Sequence, residues 1–168
     1  VNRGRGAAAL AVALSLALSA AAGAAADGWQ AFEGSWTVTG ERHTLPTEGA
    51  RPAAVVMFSG SVVLESGEGL GRGFRGEGIG YTDGDSVRVG RFTWTDENDE
   101  HVYGVLSGEL LAIGQRINGT ITGGTGRYQG LAGDFGFTWQ YAVEAGDGVV
   151  QGGAVRLNGR VRGGGGAR

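Results

Sequence analysis

The residues that could do chemistry in this 168-residue chain are few and widely spaced. All 14 basic residues are arginine and there is no cysteine. Schiff-base lysines, P-loop lysines, thiol nucleophiles and thiolate metal sites are therefore excluded. The two histidines, His43 and His101, lie in distant segments, and neither has a partner at metal-ligand spacing. No nucleophile motif supports a Ser-His-Asp arrangement. Both histidines are expected at the surface. Asp96, Glu97, Asp99, Glu100 and His101 concentrate negative charge of the kind that holds a divalent cation. The cluster lacks the Gly and the terminal Glu of an EF-hand loop, so it reads as a solvated hairpin tip. No metal and no cofactor are expected.

Two carboxylates have a more specific chemical meaning. Glu77 and Glu109 each sit inside an alternating, strand-like run. If either points into an apolar interior, it must be paired or carry a raised pKa. It could then act as a general base or steady a cation, with Arg75, Arg91, Tyr103 or Tyr141 as partner. The simpler expectation is an exposed Glu–Arg pair across neighbouring strands.

The glycine motifs do not support nucleotide binding. Gly71-Arg72-Gly73-Phe74-Arg75-Gly76 matches G-x-G-x-x-G, but the EGIGYTDG that follows cannot open a helix. GGTGRYQG, residues 123–130, lacks the P-loop lysine and also precedes no helix. Asn118-Gly119-Thr120 is a glycosylation sequon by pattern; inside a strand it is taken as chance.

The elements that must position these residues are strands. Period-two alternation recurs over Ser35–Thr44, Ala54–Leu64, Gly73–Thr82, Ser86–Thr95, His101–Leu111, Gln115–Thr122, Asp134–Val143 and Val149–Val161. Asp83-Gly84-Asp85 and Gly146-Asp147-Gly148 are hairpin turns between such runs. Eight short antiparallel strands predict an up-and-down barrel or a sandwich. Glycines inside the runs, Gly76, Gly78, Gly104 and Gly119 among them, mark bends or close backbone approach. In the seventh run Phe135, Phe137, Trp139, Tyr141 and Val143 share one face. That face is too apolar for water and must line a cavity or a subunit contact. Trp94, Phe137, Trp139 and Tyr141 are the predicted ligand-binding residues.

Residues 1–26 read as a secretory signal peptide. Arg3 and Arg5 form the positive region, Ala7–Ala22 the apolar stretch, and Ala24-Ala25-Ala26 the cleavage site. The stretch is short and alanine-rich for a bilayer span, so no membrane span is expected after cleavage. Arg3 and Arg5 are split by Gly4, which is not a twin-arginine signal. The mature chain then has 12 arginines against 17 acidic residues, a net charge of −5 that argues against nucleic acid as a partner. The expected organisation is a signal peptide at 1–26, a β-barrel domain at 27–162 and a disordered Gly-rich tail at 163–168.

The stretch GTITGGTGRYQGLAGDFGFTWQY, residues 119–141, resembles the strand–turn–strand signature of the allene oxide cyclase/dirigent-like β-barrel superfamily. The matching positions are Gly123, Gly124, Thr125, Gly126, Arg127 and Tyr128, then Gly130, Ala132 and Gly133. The stretch from Phe74 to Glu109 looks like a bacterial exported branch. The resemblance implies an all-β, eight-stranded antiparallel barrel with an apolar cavity, often a trimer. Such barrels shape a bound substrate with few reactive groups. Outside the glycine turn no motif matches, and no catalytic residue carries over. The expectation is an exported barrel, periplasmic or secreted, that binds a small apolar or aromatic molecule. A cofactor-free cyclase or isomerase is the alternative, and a structural, envelope-associated oligomer with a filled barrel is a second one.

Overall fold

The computed structural model of the protein describes residues 28–48, 52–67, 69–83, 86–110, 115–143 and 146–164. The expected signal peptide and the last four residues of the expected tail lie outside the described residues. Eight strands run in chain order: β1 (Gln30–Leu45), β2 (Ala53–Gly67), β3 (Gly73–Asp83), β4 (Ser86–Thr95), β5 (His101–Leu110), β6 (Gln115–Gly124), β7 (Ala132–Val143) and β8 (Gly148–Arg162). Each pairs antiparallel with its sequence neighbours, and β8 returns to β1. The sheet is a closed up-and-down barrel, which leaves no edge strand.

Alternation puts one side of every strand inside. Phe32, Trp36, Val62, Phe74, Phe92, Trp94, Ile121, Phe135, Leu157 and Val161 all bury their side chains in one core. The outer face carries Arg75, Glu77, Asp134 and Arg160 in mid-strand, with ion pairs such as Arg160–Asp134 at 2.9 Å.

The strand glycines have a more specific use than bending. On the inner face, Gly76, Gly78, Gly104, Gly119 and Gly152 each lie against an aromatic ring. A Cβ on Gly119 would sit 2.1 Å from Phe135 Cζ, and one on Gly76 would sit 2.6 Å from Trp36 Nε1. Small residues opposite large ones let the rings interlock inside a narrow barrel. The rings meet mainly edge to face or tilted: Trp36 and Trp94 are perpendicular at 5.9 Å, and Trp94 lies 5.1 Å from Phe135. Each buried aromatic contributes on the order of 2–3 kcal/mol through lost water contact, which is how a chain without disulfides holds its shape. The indole N–H groups of Trp36 and Trp94 are buried with no oxygen or nitrogen acceptor among the described residues.

The barrel has two unlike ends. The connections β2–β3, β4–β5 and β6–β7 lie at one end, together with the start of β1 and the finish of β8. Leu70, Phe74, Tyr128 and Leu131 close that end. The last residues of β1, β3, β5 and β7 and the first residues of β2, β4, β6 and β8 surround the other end, the mouth.

Candidate functional site

The interior is filled from the closed end up to Trp36 and Phe58, whose rings meet at 5.3 Å. Beyond them lies a cavity of ≈ 80 Å³ that opens at the mouth. Val38, Val56, Val87, Leu106, Ile117, Phe137 and Val150 form its walls, and Thr82, Gln115, Trp139 and Tyr141 stand nearer the rim. Gly80 and Gly90 leave its wall open at β3 and β4. A Cβ on Gly80 would meet nothing nearer than 3.7 Å.

The rim is organised by β7 and β1. Phe135, Phe137, Trp139 and Tyr141 all face inward, as their spacing predicts. Val143 departs from that face: the ladder shifts register between Tyr141 and Val143, and Val143 is exposed. Trp139 and Tyr141 meet edge to face at 5.6 Å. The Arg42 guanidinium reaches them from the inward side of β1, donating to the Tyr141 hydroxyl at 2.5 Å and lying 5.4 Å from its ring centre. Arg42 is absent from the sequence expectation. The signal for it was parity: it shares the inward series of Trp36 and Val38.

The predicted ligand-binding residues divide. Phe137, Trp139 and Tyr141 line the cavity, whereas Trp94 is wholly enclosed in the filled half. The candidate catalytic residues are not brought to the cavity. Arg75, Glu77, Arg91, Tyr103 and Glu109 all project from the outer face, because alternation gives the inward positions to their neighbours Gly76, Gly78, Phe92, Gly104 and Gly108. Glu77 pairs with Arg75 at 3.7 Å in solvent. The condition for a buried general base at Glu77 or Glu109 is therefore not met. Among the described lining residues there is no carboxylate, histidine or arginine. Such a lining can hold and orient an apolar body, and its polar handles are Thr82, Gln115 and Tyr141. Thr82 already donates to the Ala54 carbonyl at 3.3 Å.

The closed end corrects the reading of the acidic cluster. Glu97, Asn98 and Asp99 are exposed, but the Asp96 side chain is fully buried. One of its oxygens accepts the amides of Asn98 and Glu100, at 2.8 and 3.0 Å. The other accepts the Tyr128 hydroxyl at 3.0 Å and the Arg127 guanidinium. The glycine-rich turn after β6 supplies both side-chain donors. A single 3₁₀ turn, Gly126–Tyr128, starts at Gly126 with φ 51 and is followed by Gly130 with φ 76. These positive angles favour glycine, and they swing Tyr128 inward to plug the barrel. Thr125 fixes the turn to β5: its hydroxyl accepts the His101 amide at 2.8 Å, and its amide donates to the His101 carbonyl. His101 is half-buried, with Nδ1 3.1 Å from the Thr95 hydroxyl, while His43 is exposed as expected.

Burial alone would raise the Asp96 carboxyl, but two amides, a phenol and a guanidinium outweigh it and hold the carboxyl below its ordinary value. Burial, reinforced by the bond donated to Asp96, pushes the Tyr128 phenol up to about 12. These groups form a closed set with every polar atom of the carboxylate engaged. No group of three or more His, Asp or Glu among the described residues could hold a metal ion.

The chain matches no protein-family model and no curated protein. Among solved structures it is similar to a pterocarpan synthase dirigent protein, with 10% sequence identity and a TM-score of 0.45, over 89% of this chain and 99% of that one.

Proposed function

We propose that this barrel is an exported protein, periplasmic or secreted, that binds a small apolar or aromatic molecule in the cavity at its mouth. The observation that carries the reading is the cavity itself. It is lined almost wholly by aliphatic and aromatic side chains, and it opens to solvent at one end of a barrel whose other half is solid. Its ≈ 80 Å³ is small, about half of an engineered apolar cavity that takes benzene. The enclosed part suits the end of one ring or a short alkyl group, and the rest of the ligand extends through the mouth. Cinnamyl alcohol has this shape. It should quench or shift tryptophan emission from Trp36 and Trp139, and Trp139→Ala should weaken its binding by more than the loss of stability explains. No emission change up to the solubility of the alcohol, together with an unchanged Trp139→Ala response, refutes the reading. Export is tested separately: the secreted or periplasmic product should begin at Asp27, and a product retaining residues 1–26 contradicts it.

A second reading rests on the outer surface. Val55, Tyr81 and Val89 are neighbours across β2, β3 and β4, and Met57 pairs with Ile79 in the next row. All five are exposed, between 38% and 57%. An apolar patch of this kind on a barrel wall fits a second copy of the chain, and thus an oligomer. Sedimentation should then show an assembly that Met57→Glu dissociates.

A further inference from the structure

On the outer wall formed by β1 to β4, the ladder sets the outward residues in rows. The middle row reads Glu41, Met57, Ile79, Arg91, each paired with the next across the sheet. The row nearer the mouth reads His43, Val55, Tyr81, Val89, and the row nearer the closed end reads Thr39, Ser59, Glu77, Thr93. An exposed apolar patch is thus flanked by an acid on β1 and a base on β4. Neighbouring strands lie about 4.8 Å apart, so Glu41 and Arg91, three strand spacings apart, stand about 14 Å from one another and cannot pair within one chain. The Arg91 side chain has no ion pair or hydrogen bond among the described residues, and Glu41 has only the exposed His43 at 3.9 Å. A groove lined by Met57, Ser59, Ile79 and Thr93 indents this wall, so it is not simply convex. We infer that the wall is the interface of a twofold-symmetric dimer whose axis runs along the strands between β2 and β3, with Glu41 and Arg91 fixing that geometry. Such a rotation lays each row on its own reverse. Met57 meets Ile79 of the partner subunit, Val55 meets Tyr81 of the partner subunit, and Glu41 meets Arg91 of the partner subunit, each contact made twice. The strands of the two walls are then aligned, as in sheets packed face to face. A twofold axis along the row itself would instead set Glu41 against Glu41 of the partner subunit and Arg91 against Arg91 of the partner subunit, which like-charge repulsion opposes.

This geometry rests on a second copy covering the apolar patch, and the test separates the two. Sedimentation of the purified protein over a concentration series gives the assembly and its dissociation constant. Wild type should be a dimer, and added sodium chloride should weaken it. Glu41→Arg and Arg91→Glu each bring like charges together at two symmetry-related positions, so each should raise the dissociation constant about tenfold or more. The double variant Glu41→Arg/Arg91→Glu reverses both members of the pair and should return to within about threefold of wild type. A wild-type trimer overturns the twofold geometry while the patch stands as a contact, and this observation needs no variant to fold. Single variants that associate as tightly as wild type, when Met57→Glu dissociates, also overturn it. So does a double variant as weak as the single ones. A monomeric wild type removes the dimer together with the reading of the patch.

Discussion

The Tyr128 hydroxyl donates to the Asp96 carboxylate across 3.0 Å, and this bond fastens the turn after β6 to the β4–β5 hairpin. The acceptor is ionised and buried, so the bond is stronger than an average one. Tyr128→Phe should cost about 1.5–3 kcal/mol of unfolding free energy, the range for hydrogen bonds to charged groups. Asp96→Ala should cost more, because it strands two backbone amides and the phenol together. Urea denaturation of the two variants beside wild type, followed by tryptophan emission, measures both.

The same pair sets a pH dependence at each extreme. Asp96 is held below its ordinary value of 3.8 in the folded state. Its contribution is therefore fully present above that value, and it is lost as pH falls through the lower folded value. Tyr128 titrates near 12 when folded and near 10.0 when not. Its contribution is complete below 10 and disappears as pH rises through about 12. Between pH 6 and pH 3 the urea midpoint of wild type should fall more steeply than that of Asp96→Asn. Parallel falls would show that Asp96 is not a source of the acid sensitivity.

Two glycines of neighbouring strands should respond oppositely to the same added methyl. Gly119→Ala drives a Cβ into the Phe135 ring, and overpacking of this kind costs about 1–3 kcal/mol. At Gly136, on the outer face of β7, the nearest atoms to a new Cβ are 3.7 Å away. Gly136→Ala should stay within about 0.5 kcal/mol of wild type, as for most surface substitutions. Thermal or urea unfolding of the two variants side by side gives the comparison.

The alternation made the strands legible. The expected β4 has the observed limits, Ser86–Thr95, and every expected strand exists. β1 begins five residues earlier than the pattern indicates, because register shifts at Glu33/Gly34 break the alternation there. Which face turns inward was harder. In β3 the bare face of Gly76, Gly78 and Gly80 carries no hydrophobic signal of its own. It is inside because Trp36 and Phe58, from β1 and β2, fill the space that Gly76 and Gly78 leave. Orientation was thus decided by residues on other strands. Asp96 was hidden among exposed acids, although its position two residues before Asn98 is the spacing of an Asx-turn. Arg42 was hidden because a lone arginine in a strand carries no motif.

The outward placement of Glu77 and Glu109 has its own consequence. Both are exposed, so Glu77→Gln and Glu109→Gln should each change stability by less than about 0.5 kcal/mol. Neither should alter the affinity for cinnamyl alcohol in a fluorescence titration. A tenfold loss in either variant would mean that the outer wall takes part in binding.

The location of the bound ligand is the central claim, and amide chemical-shift mapping tests it most directly. Cinnamyl alcohol is titrated into the isotopically labelled barrel, and shifts are followed residue by residue. The account predicts saturable shifts at Gly80, Gly90, Leu106, Ile117 and Tyr141, the residues around the mouth cavity. The closed end, at Tyr128 and Leu131, should stay still. Saturable shifts centred instead on the outer wall at Met57, Ile79 and Arg91, or no saturable shifts at all, would contradict it.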